Sequence, residues 1–161
     1  MSTPLWTVRR VRLAGLVVGV AIAGLAGWLV LPLSGGAQPA SKVPVDWARP
    51  VVDDAGLAAR SGVKLVHVAV TGGGGLVDLR YQVVDPAAAA ALHDAATPPA
   101  IVDEASGLVV HDLFMGHAHH GTFKAGVSYY YVLVDSVNWI HRGSTVTVLL
   151  GDAQLEHVVV R

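Results

Sequence analysis

The chain has 161 residues, 53% of them hydrophobic and only 14% charged. That balance is too apolar for a disordered chain, and the length suits one folded domain with additions. No cysteine is present, which excludes disulfides, thiolate metal sites and a thiol nucleophile, so a metal would have to be held by His, Met and carboxylates.

Charge is unevenly placed. Up to Ser34 there are three arginines (Arg9, Arg10 and Arg12) and no acid, while from Gly35 onward eight Lys/Arg stand against twelve Asp/Glu. A mildly acidic C-terminal part argues against a nucleic-acid surface, which needs clustered cations.

Leu13 to Leu33 carries no charge. As a helix this run spans roughly 30 Å, the thickness of a bilayer's hydrocarbon core. The three arginines just before it place residues 1–12 in the cytoplasm and everything after Leu33 on the far side. Trp6 and Trp28 lie near its two ends, as interfacial aromatics do. Gly15, Gly19 and Ala23 form a small-residue stripe suited to packing on another helix. The run reads as an uncleaved anchor over 13–33. A cleaved signal peptide is the competing reading, and it exports the same domain.

Residues 34–60 are rich in Gly, Pro and Ala, with little periodicity, and read as a tether. Trp47 within it is expected to dock on the domain. From Ser61 the pattern turns to strands, so 61–161 is expected to be the extracytoplasmic domain. Val63–Val70 is rich in β-branched residues, and Thr71–Gly75 is a turn. Leu76–Val84 alternates Val77, Leu79, Tyr81 and Val83 against Asp78, Arg80 and Gln82, the mark of a half-buried antiparallel strand. Asp85-Pro86 opens a short helix, with Asp85 as cap and Pro86 at the first position. Ile101–Glu104 and Leu108–Leu113 flank Ala105-Ser106-Gly107 as a hairpin, with Asp103-Glu104 a solvated acidic pair at its turn. Tyr129–Val134 is a strand, with Tyr129 and Tyr131 on one face and Tyr130 on the other. Trp139-Ile140 begins or ends another, and His141-Arg142 is a turn. Thr145–Leu150 and Gln154–Val160 close the domain as a hairpin. The fold class is mainly β: an Ig-like or cupredoxin-like antiparallel sandwich with one short helix, behind a transmembrane helix.

Eight histidines are present, four of them within His111–His120. In an extended chain alternate side chains share a face, which places His111, Met115, His117 and His119 together, with His120 as a spare. Imidazoles suit copper, zinc and nickel, and a neighbouring thioether favours Cu(I). The plain alternative is a polar loop that tolerates histidine. His67 and His157, each alone in a strand, read as hydrogen-bonded, partly buried residues, although either is able to complete a site from a neighbouring strand. The glycines at 72–75 lack the Lys-Ser/Thr of a phosphate loop. No Ser/His/Asp spacing argues for a triad, so no enzyme is expected.

An exported, cysteine-free sandwich carrying His111, Met115, His117 and His119 resembles the periplasmic copper chaperones of the PCuAC type. The resemblance implies copper held by His and Met and delivered to the copper centre of a respiratory oxidase. Where that family has a His-x-Met pair, this chain has His117-x-His119, and the anchor is unusual for the family. Gly116-His-Ala-His-His-Gly121 also resembles a ligand segment of copper–zinc superoxide dismutase, but that enzyme's remaining ligand segments and cysteine pair are missing. The expectation is therefore a membrane-anchored copper-binding protein, with zinc as the other candidate metal. The competing expectation is a non-catalytic accessory subunit of a membrane complex.

Overall fold

The computed structural model describes residues 42–115 and 121–161. The apolar run 13–33 with its flanks, and His117, His119 and His120, lie outside these residues. Among the described residues no helix is long and apolar enough to cross a membrane.

The folded unit is mainly β. Its strands are β1 (Val51–Val52), β2 (Val63–Thr71), β3 (Leu76–Val83), β4 (Ala100–Asp103), β5 (Val109–Val110), β6 (Ser128–Val134), β7 (Thr145–Leu150) and β8 (Ala153–Val159). Two short α-helices interrupt them, α1 (Asp54–Ser61) and α2 (Pro86–Ala89). The strands form two sheets, one in the order β1-β8-β7-β4-β5 and the other β2-β3-β6. β1 lies parallel to β8, and the other paired strands are antiparallel.

Alternation decides which residues meet between the sheets. On β3, Val77, Leu79, Tyr81 and Val83 are fully buried, and the residues between them are not. From the other sheet Ile101, Val146, Val148 and Leu150 join the same core. Tyr131 is buried and Tyr130 is half exposed, as the period of two predicts. Tyr81 stacks on Tyr131 at 5.4 Å and on Tyr129 at 6.1 Å.

The segment expected to be a free tether is folded from Lys42 onward. A compact unit runs over Ser41–Arg161. Val43 and Trp47 pack on Ala100, Val102 and Leu149, which form a second apolar cluster on the opposite face of the five-stranded sheet. Arg49 donates from Nη1 to the Gly151 carbonyl and from Nη2 to the Pro98 carbonyl, both at 2.7 Å. Next comes α1, which the sequence reading missed. Asp53 caps it by accepting from Gly56 N, and Gly62 ends it at φ 64°, a left-handed conformation that glycine adopts without strain.

Two other differences have physical reasons. Trp139-Ile140 is not a strand. The buried Asp135 carboxylate accepts from both their backbone N–H groups, at 3.1 and 2.8 Å, and so takes the donors that a ladder would use. The Asp103-Glu104 pair is not solvated. Asp103 is buried and accepts from the Ser106 backbone and hydroxyl, which closes the β4–β5 turn, and Glu104 reaches across the sheet as described below.

Candidate functional site

The chain switches sheets at the start of the histidine segment. It leaves β5 at Val110 and then runs alongside β6, the outer strand of the three-stranded sheet. Val134 N donates to the Asp112 carbonyl at 2.7 Å and Phe114 N to the Val132 carbonyl at 2.8 Å, with a bridge between Leu113 and Leu133. Leu113 turns toward the core. His111 and Met115 flank this pinned stretch, and both are exposed. The face expected to be shared by His111 and Met115 thus carries Leu113 at its middle, partly buried against the core.

His111 is held from two sides. Its ring lies 4.9 Å from the Trp47 ring at a tilt of 35°, and Nδ1 is 3.6 Å from Asp112 Oδ1. Met115 is 61% exposed, beside the similarly exposed Phe114. These are the two expected ligands within the described residues. Neutral imidazole nitrogen and thioether sulfur are both donors for a soft or borderline cation. Among the described residues no three His, Asp or Glu stand together as a metal-holding group.

The scattered histidines take separate roles. His67 Nε2 lies 3.5 Å from Asp78 Oδ2, and the Arg80 guanidinium is 3.0 Å from the same oxygen. His93 stacks on Phe123 at 4.5 Å. His157 is the most constrained. It sits at φ 62° in a β8 bulge, a conformation that costs a non-glycine residue about 1–2 kcal/mol. Glu104 holds it there. Oε1 accepts from His157 N at 2.7 Å and from Thr147 Oγ1 at 2.9 Å, while Oε2 lies 2.9 Å from His157 Nδ1. Burial alone would raise the Glu104 carboxyl, but the bonds from His157 and Thr147 outweigh it and hold the group below its ordinary value. The hydrogen bond to Glu104, then its charge, raise His157. The sequence reading missed this pair because its members lie 53 residues apart in no recognisable motif.

No protein family, characterised protein or solved structure matches this chain.

Proposed function

We propose that this is a membrane-anchored extracytoplasmic protein that captures or hands over copper through His111, Met115, His117 and His119, with His120 in reserve and zinc as the alternative metal. The domain would be an Ig-like or cupredoxin-like sandwich serving as the platform. The observation that supports this reading is the pinned strut. Hydrogen bonds to β6 hold Asp112–Phe114, Trp47 braces His111, and the exposed Met115 leads directly into the remaining histidines. A ligand fixed before the ion arrives loses less entropy on binding. Copper would be cargo, and an acceptor such as a copper-dependent oxidase would be its destination.

Titration of the full chain in detergent micelles with Cu(I) against a competing chelator tests this. One-to-one binding lost in His117→Ala/His119→Ala is the expected result, with affinity falling as pH drops through about 6.5, where free imidazole protonates. Binding indifferent to those substitutions refutes it.

A second reading, an accessory subunit of a membrane complex, is favoured by the outer face of the three-stranded sheet. Tyr130 is half exposed there with the Arg80 guanidinium 5.5 Å from its ring centre, and Phe114 is exposed alongside. On that reading alanine at the histidines has no effect, whereas bulky residues at Gly15 and Gly19 abolish association.

A further inference from the structure

The C-terminal residues touch both sheets. β8 pairs with β7 as far as Val159. Arg161 then bonds to β2, donating to the Val68 carbonyl at 2.9 Å and accepting from Val70 N at 3.1 Å. A bulge in β8 sets Glu156 and His157 against Thr147 alone, between the Val146–Val158 and Val148–Leu155 pairs. Bulges bend and twist the strand that carries them. His157 therefore sits in the bend that precedes the crossing to β2, with Val158 and Val159 still paired to β7 between it and Arg161.

We infer that Glu104 and His157 form a pH-sensitive latch on this seam, closed in mildly acidic solution and loosened in alkaline solution. One carboxylate grips both the backbone N–H and the ring of His157 and is braced by Thr147. The latch thus joins the end of β4 to β7 and β8. The imidazole is 58% exposed at its side chain, so protons reach it without any opening of the fold. When it is charged, the grip is an ion pair as well as a hydrogen bond. When it is neutral, only the hydrogen bond persists. The other charged groups nearby act less strongly than Glu104, Glu156 through its charge alone. Glu156 accepts from Gln154 Nε2, and His67 faces Asp78. Asp54 and Arg161 are the other charged residues that line the cleft between β2 and β8.

Amide hydrogen exchange of the full chain in micelles, corrected for intrinsic rates, tests the latch. Protection of the Arg161 and Val70 amides is expected to fall about two- to five-fold from pH 5.5 to 8.5, the range of an exposed ion pair, while amides in the middle of β3 hold steady. His157→Asn tolerates the left-handed backbone and, like Glu104→Gln, removes the response. In Glu104→Gln the His157 ring, followed by NMR, titrates closer to free imidazole. Flat protection at the seam in the wild type, an undiminished response in Glu104→Gln, or an unmoved ring titration overturns the inference.

Discussion

Replacing Arg49 with alanine tests whether the segment after Lys42 is part of the fold. The guanidinium ties two separate turns, through the Gly151 and Pro98 carbonyls. Gly151 is buried, so its carbonyl would be left without that donor away from water, at about 1–3 kcal/mol. Pro98 is only half-buried and can be hydrated, which adds a few tenths of a kcal/mol. The Arg49 backbone bond to Gln154 Oε1, at 2.9 Å, survives the change. The expected loss is about 2 kcal/mol. For a unit of this size that lowers the midpoint of thermal unfolding by roughly 6–10 °C, measured by circular dichroism on the full chain in micelles. Arg49→Lys should recover no more than about half, because an ammonium is a point donor and cannot span both carbonyls in the planar fork geometry. A loss under about 0.5 kcal/mol for Arg49→Ala, the size of an ordinary surface change, would refute the assignment of this segment to the domain.

Three other outcomes follow from the packing and the charges. Gly62→Ala should cost at least about 2 kcal/mol in chemical denaturation, since φ is 64° and a Cβ would strike the Asp85 carbonyl and lie 2.6 Å from Ala89 N. Tyr131→Ala should cost about 3–5 kcal/mol, while Tyr130→Ala on the opposite face should cost about 1 kcal/mol or less; equal losses would contradict the register of β6. Wild type and Glu104→Gln should differ most in stability between about pH 4.5 and 6.5. The lowered Glu104 contributes above its unfolded value of 4.5 and is lost as pH falls. The raised His157 contributes fully below its unfolded value of 6.5 and is lost as pH rises through its folded value. A stability gap independent of pH would refute the pairing.

The β3 alternation, the β4–β5 and β7–β8 hairpins and the split of the three tyrosines were legible in the sequence, because each depends on neighbours a few residues apart. Helix α1 was not, although Asp53 and Gly62 frame it. Leu57 is the only large apolar residue it buries, so it shows no amphipathic stripe. Asp135 defeated the expected strand at Trp139 by supplying a local acceptor. Of the expected metal ligands, His111 and Met115 are placed at the ends of a fixed strut, while His117, His119 and His120 lie outside the described residues. Nothing local pointed to Glu104 and His157, whose partnership exists only once β4, β7 and β8 lie side by side.

The way the sheets end also limits how another strand could add to them. An open sheet edge is a template on which another chain can pair. Here the five-stranded sheet ends at β1 and β5, only two residues each. On the three-stranded sheet β2 is interrupted between Leu65 and His67 and takes up Arg161, while the stretch around Leu113 lies along β6. No long flat edge is left among the described strands. A strand from another copy would find only short or interrupted edges to pair with there.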